Sequence, residues 1–175
     1  MNEYLPEDFD CPDSMRPVII RKLAALESAS EDIPVFVVHD VRNFSVVYMS
    51  VEGRRRLGYS LAELREMGEA YFTRFFSPDD VSFYLAQFME LIRSPQSGQW
   101  FSYFQKVSTG NAGSMEYYLS ASRLFMSDEK GQPMLALTLA LPLAPDHHLT
   151  EKAGRIMEED LILKEGYQRY ASLTK

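Results

Sequence analysis

The sequence predicts an α+β fold built on a five-stranded antiparallel sheet, with helices on one face and a flanking helix at each end. Three observations predict it. Short β-branched and aromatic runs occupy residues 35–49, three longer strand-like runs occupy residues 99–143, and helical signals fill the interval between them. The chain is 175 residues long, 46% hydrophobic and 25% charged, which suits one globular domain with attachments and excludes disorder for its bulk.

Residues 1–13 are acidic and proline-containing with few periodic apolar positions, and read as a mobile leader. Residues 14–33 carry an N-terminal helix. Ser14 suits the N-cap and Pro17 the first turn, and Val18, Ile19, Leu23 and Leu26 recur at helical spacing. Val35–Asp40 and Phe44–Met49 follow as strands joined by Val41-Arg42-Asn43, a connection of hairpin length. Ser50–Arg56 is a short helix that Gly58 can end, because glycine adopts the left-handed conformation at a helix terminus. Ser60–Met67 opens with the reciprocal capping pair Ser60 and Glu63.

Ser77-Pro78-Asp79-Asp80 is the strongest local signal: a capping serine, proline at the first helical position, and two acids where the helix dipole favours negative charge. The helix runs to about Arg93 and presents Val81, Tyr84, Leu85, Phe88 and Ile92 on one face. Strands then follow at Gln99–Ser108, Met115–Met126 and Pro133–Leu143. The last has Leu135, Leu137, Leu139 and Leu141 on one face and Met134, Ala136 and Ala140 on the other. A strand apolar on both faces needs cover on both. One cover is the domain core; the other is the N-terminal helix, the C-terminal helix or a second subunit.

Residues 146–175 read as a helical linker. Leu149, Ile156, Leu163 and Tyr170 repeat every seven residues, with Ala153, Asp160 and Tyr167 between them, the seam of a conditional coiled coil and hence of a homodimer.

The stretch 34–145 resembles a PAS domain. Val38-His39-Asp40 resembles the end of that family's first strand, and Val46-Val47-Tyr48-Met49-Ser50 its second. Leu57-Gly58-Tyr59-Ser60-Leu61-Ala62-Glu63-Leu64 is similar to its G-Y-S-x-x-E-L segment, and Ser77-Pro78-Asp79-Asp80 to the H-P-D-D opening of its long helix. Ser50 and Ser77 replace the usual Asn and His, and both can still cap a helix. At the other end, Leu173-Thr174-Lys175 resembles the L-T-x-R-E opening of a LuxR-type helix-turn-helix domain. These resemblances imply the sensor part of a cytoplasmic transcription regulator, truncated before its DNA-binding domain. The alternatives are a PAS input module of a histidine kinase or nucleotide cyclase and, in another class, a small α+β enzyme with a cone-shaped pocket, which would lose turnover on replacement of Tyr84 or Asp80.

A net charge of −7 speaks against a free-standing nucleic-acid binder, which gains affinity from clustered Lys and Arg. DNA is therefore expected as a partner only through a domain outside this chain. The longest apolar run is too short for a membrane helix, so no membrane partner is expected. Cys11 is the sole cysteine, which excludes an internal disulfide and favours a cytoplasmic setting. The histidines are His39, His147 and His148, and no Gly-x-Ser-x-Gly elbow or phosphate-cradling glycine loop occurs, so no catalytic set is expected. The adjacent pair His147-His148 lacks partners at ligand spacing, and no metal site is assigned. Trp100, Phe101, Tyr103 and Phe104 could stack bases, but alternation divides them between two faces without a basic groove.

An aromatic set remains. Phe72, Phe76, Tyr84, Phe88, Tyr103 and Tyr118 either line a pocket for a small apolar ligand or fill the core. The PAS resemblance bears on cofactors. Its haem sensors carry a histidine on the long helix, and its flavin photosensors a cysteine in N-C-R-F-L-Q; this sequence has neither, so haem and covalent flavin are not expected, no cofactor is identified, and a small apolar ligand stays open.

Overall fold

In the computed structural model, residues 3–29, 35–93, 98–110, 114–144 and 148–159 are described. The elements run α1 (Arg16–Ser28), β1 (Val35–Asp40), β2 (Val46–Met49), α2 (Val51–Leu57), α3 (Leu61–Glu66), α4 (Ala70–Phe75), α5 (Pro78–Arg93), β3 (Phe101–Thr109), β4 (Ser114–Ser127) and β5 (Pro133–Pro142). Residues 148–159 are also helical.

All five strands pair antiparallel, as the sequence predicts, and they lie in the order β2-β1-β5-β4-β3. Register fixes two faces. Val37 pairs with Thr138, and Thr138 with Ser122, so these share a face; one residue on, Val38, Leu137 and Arg123 share the other. The first is the inner face, packed by α2, α4 and α5. On β5 it carries Ala136, Thr138 and Ala140, and the leucines all point outward.

That outward face answers the question posed by β5. Lys22 of α1 lies 5.3 Å from the Phe125 ring of β4, and Glu27 of α1 accepts a 3.0 Å hydrogen bond from the Tyr48 hydroxyl of β2. The helix therefore crosses the sheet over β5 and β1, burying Ile19 and Leu23 completely together with Leu135 and Leu137. Cover runs out toward Leu141, which is 49% exposed.

Three of the local sequence signals form as expected. Ser60 and Glu63 make the reciprocal cap, Gly58 takes the left-handed conformation at φ 78°, and the Ser77 hydroxyl accepts from the Asp80 amide at 3.2 Å. A fourth differs: Ser14 does not cap α1. Met15 holds that position without a side-chain bond, and Ser14 donates instead to Glu129, a partner 115 residues away.

Residues 3–13, expected as a mobile leader, lie against the domain. Leu5 is buried and the Tyr4 ring sits 5.3 Å from Tyr48. Two arginines hold the backbone. Arg16 donates to the carbonyls of Pro6, Glu7 and Phe9, and Arg65 to those of Glu3 and Tyr4 while also gripping Val47. Carbonyls otherwise solvated gain charged donors, which compensates the local shortage of apolar contacts.

Of the heptad seam, Leu149, Ala153 and Ile156 fall in helix 148–159; Asp160, Leu163, Tyr167 and Tyr170 lie outside the described residues. Ala153 is fully buried against the chain's own fold, and Leu149 and Ile156 remain 38% and 43% exposed. This helix sits on the outward side of β4, where Gly154 lies close to the Tyr117 hydroxyl.

Candidate functional site

A cavity of about 60 Å³ lies between the inner face of the sheet and the helices. Its floor is Val35, Val37 and His39 of β1, Thr138 and Ala140 of β5, Tyr103, Gln105 and Val107 of β3, and Tyr118 of β4. Its roof is Gly53 and Arg56 of α2, Tyr71 and Phe72 of α4, Phe76, and Asp80, Val81 and Tyr84 of α5. Gly53 lets α2 approach the sheet closely at this wall: a Cβ there would come within 2.8 Å of the Met49 side chain.

Five of the six sequence-chosen pocket residues, Phe72, Phe76, Tyr84, Tyr103 and Tyr118, line this cavity. Phe88 does not. One helical turn beyond Tyr84, it is carried along the axis of α5 into the solid core, with ring contacts to Tyr84, Phe44 and Phe101 at 5.4, 5.9 and 6.2 Å. The alternatives of pocket and core thus both hold, in adjacent parts of one aromatic cluster. Phe101 and Tyr103 face inward with this cluster and Phe104 faces the other way. Trp100 lies under the Arg123 guanidinium at 5.0 Å.

The tyrosines of the cavity were chosen from the sequence, whereas His39, Gln105 and Thr138 escaped it. His39 is buried, its ring stacked on Phe72 at 5.5 Å and 5.4 Å from Tyr71, and neither ring nitrogen has a hydrogen-bond partner among the described residues. Burial alone lowers its pKa to about 4, so it is neutral at pH 7. The Tyr84 hydroxyl faces the hydroxyls of Thr138 and Ser122; burial pushes its pKa up to about 12, and those two neighbours act the other way. Beside them runs a hydroxyl chain: Tyr103 to Ser122 at 3.1 Å and Ser122 to Thr138 at 2.6 Å. Gln105 donates to Ser120 at 2.8 Å. At the rim, Tyr118 donates to Glu116 at 2.9 Å; Glu116 also accepts from Arg56, which is shared with Glu52.

One signal for these groups was present. The alternation that places Val35 and Val37 inward places His39 inward too, and the Ala136/Thr138/Ala140 face is too small-chained to fill the space opposite it.

No family model and no curated protein sequence matches the chain. Solved structures do. The chain is similar to the blue-light photoreceptor Aureochrome1 LOV in its dark state, with TM-score 0.53 and 19% identity over 81% of this chain and 92% of that one. It is also similar to the PAS domain of a protein from Colwellia psychrerythraea, with TM-score 0.51 and 12% identity over 68% of this chain and 97% of the other. The chain has the PAS fold. A third PAS-fold neighbour is the VqmA dimer of Vibrio cholerae, a LuxR-type receptor with a target DNA. The likeness has TM-score 0.52 and 10% identity over 71% of this chain, and spans about half of VqmA (51%).

The flavin of photosensing PAS domains does not fit this site. No cysteine lines the cavity, and Cys11 belongs to the leader. A cavity of 60 Å³ is also far below the clefts of about 300–1,000 Å³ that hold ligands of drug or cofactor size. Among the described residues no helix is long and apolar enough to cross a membrane.

Proposed function

We propose that this chain is the non-enzymatic sensory and dimerisation module of a cytoplasmic transcription regulator. A small ligand in the cavity shifts the packing of the helices around it, and the helix beginning near His148 passes the shift to a LuxR-type DNA-binding domain C-terminal to Lys175. The observation that carries this reading is the cavity itself. The buried His39 imidazole lines it with neither nitrogen bonded among the described residues, whereas a cavity left merely by loose packing would be apolar throughout.

Three further points support it: the PAS motifs along 34–145, the likeness of fold to a LuxR-type receptor, and Leu173-Thr174-Lys175. The exposed Leu149 and Ile156 supply an apolar edge for a second copy. Mechanistically the ligand selects between two packings and moves the equilibrium only by its difference in affinity for them.

The test is the parent reading frame. Continuation into R-E and a helix-turn-helix supports the regulator. A stop codon, or kinase or cyclase motifs in that place, removes the LuxR output. Sedimentation of the chain with and without residues 149–175 tests dimerisation, and two monomers would end that part of the proposal.

A further inference from the structure

β3 ends the strand order, so one side of its backbone faces no neighbouring strand. Register says which groups lie on that side. The Tyr117 carbonyl accepts from the Leu143 amide at 2.8 Å, so Tyr117 turns its backbone polar groups toward β5 and away from β3. Its partner Lys106 is therefore a non-bonded position of the β3–β4 ladder. By alternation so are Phe104, opposite Leu119, and Ser102, opposite Ala121. Their amides and carbonyls point outward. A bridge between Phe76 and Val107 closes the edge beyond Lys106. Among the described residues, no hydrogen bond reaches the outward groups of Ser102 and Phe104.

These residues floor a groove of about 520 Å³, within the range of about 300–1,000 Å³ of binding clefts. Its two walls differ. Ser77 and Asp79 of α5 stand on the inner side, whereas Phe104, Leu119 and Met157 of helix 148–159 make an apolar outer side. A strand laid along β3 points alternate side chains at each wall. The residue opposite Phe104 meets the apolar side. Its neighbours meet Asp79, which is exposed and has no ion pair among the described residues. Lys106, on the outer side, disfavours a base there. A second copy does not fit, because its own β3 is recessed between the same walls and two recessed edges cannot meet.

We propose that the β3 edge binds an extended segment of a partner protein, in which apolar and basic residues alternate, as a sixth strand. The pairing is antiparallel, the more stable arrangement. Ser102 and Phe104 supply the main-chain bonds, the outer wall selects apolar side chains and Asp79 selects basic ones. This inference stands apart from the sensory reading above and does not rest on it.

The test is an NMR titration of the ¹⁵N-labelled chain with a capped heptapeptide alternating arginine and valine. Saturable shifts are expected at the amides of Ser102 and Phe104, with slowed hydrogen exchange there. With valine opposite Phe104, the valine amides face β3 and the arginine amides face away. Methylating the valine backbone nitrogens is therefore expected to weaken binding at least tenfold, and methylating those of arginine to leave it within about twofold. Glutamate in place of arginine, and Asp79→Asn with the original peptide, should each weaken binding about two- to fivefold, the size of an exposed ion pair. Ser102→Pro removes one edge donor where an edge strand tolerates proline, and should weaken binding about tenfold. If that variant unfolds, the methylated peptides on the unaltered chain decide. No saturable shift, or equal binding of the valine-methylated or the glutamate peptide, overturns the proposal. So do shifts that fade as protein concentration rises, which would give the edge to a second copy.

Discussion

Tyr117 and Tyr118 are consecutive in β4 and face opposite surfaces of the sheet. Tyr118 closes the cavity and bonds Glu116, whereas the Tyr117 hydroxyl lies against Gly154 of the C-terminal helix. The Tyr117 carbonyl also accepts from the Leu143 amide at 2.8 Å, anchoring the segment that leads to that helix. One peptide unit thus joins the cavity face of the sheet to the face that carries helix 148–159, because successive side chains of a strand point to opposite faces.

Gly154→Val is therefore expected to dislodge helix 148–159 while leaving the PAS body folded, since a Cβ alone would already stand in van der Waals contact with the Tyr117 hydroxyl at 3.5 Å and the two γ-methyls of valine need further room. Hydrogen exchange is the readout. Protection should fall at residues 150–159 and stay unchanged in β4 and β5; equal protection throughout would show that the helix does not depend on this contact.

His39 makes stability depend on pH. Its folded pKa is about 4 against an ordinary 6.5, so between these values the unfolded chain binds a proton that the native chain does not. The contribution is complete above pH 6.5 and is lost as pH falls through that window, at roughly 1.4 kcal/mol per unit and on the order of 3 kcal/mol in all. Urea denaturation of wild type and His39→Phe from pH 7.5 to 4.5 should give a difference that grows in the variant's favour as pH falls. A constant difference would refute the assignment.

Ser50 is completely buried, and its hydroxyl oxygen accepts from two amides, Gly53 at the start of α2 and Phe36 in β1, both at 3.2 Å. Ser50→Ala should destabilise by about 2 kcal/mol, at the upper end for a helix cap, because it strands a buried strand amide as well. Ser50→Asn, which restores an acceptor, should recover part of it. Thermal unfolding of the three proteins decides.

Arg65→Ala should free the leader. The guanidinium holds two leader carbonyls and that of Val47, and bonds from charged donors contribute more than neutral ones. A loss of about 2 kcal/mol is expected, with faster proteolysis N-terminal to Pro12. Lysine should not rescue, since one ammonium cannot reproduce the planar fork. Unchanged cleavage would mean that Arg16 and Leu5 suffice.

Gly110 lies where a Cβ would come within 2.5 Å of the Leu57 carbonyl oxygen, a backbone atom that cannot turn aside. Gly110→Ala should cost about 1–3 kcal/mol and separate α2 from the end of β3. Calorimetry showing no loss would mean that the loop relaxes freely.

The sequence by itself determined what is local. The capping pair at Ser60 and Glu63, the left-handed Gly58 and the Ser77 cap each follow from residues a few positions apart, where propensity and hydrogen bonding act without help from the rest of the chain. The two-sided apolarity of β5 also told in advance that its outward face needed a cover. Tertiary structure alone decided where long-range partners meet. Ser14 bonds Glu129 while Met15 holds the N-cap position, and Arg16 and Arg65 reach the carbonyls of the docked leader. Phe88 left the pocket because one helical turn moved it into the core. His39 became a polar wall because register brought it over Ala136 while Phe72 folded down upon it. Burial of a polar group is a property of everything packed around it, and no window of neighbouring residues contains that information.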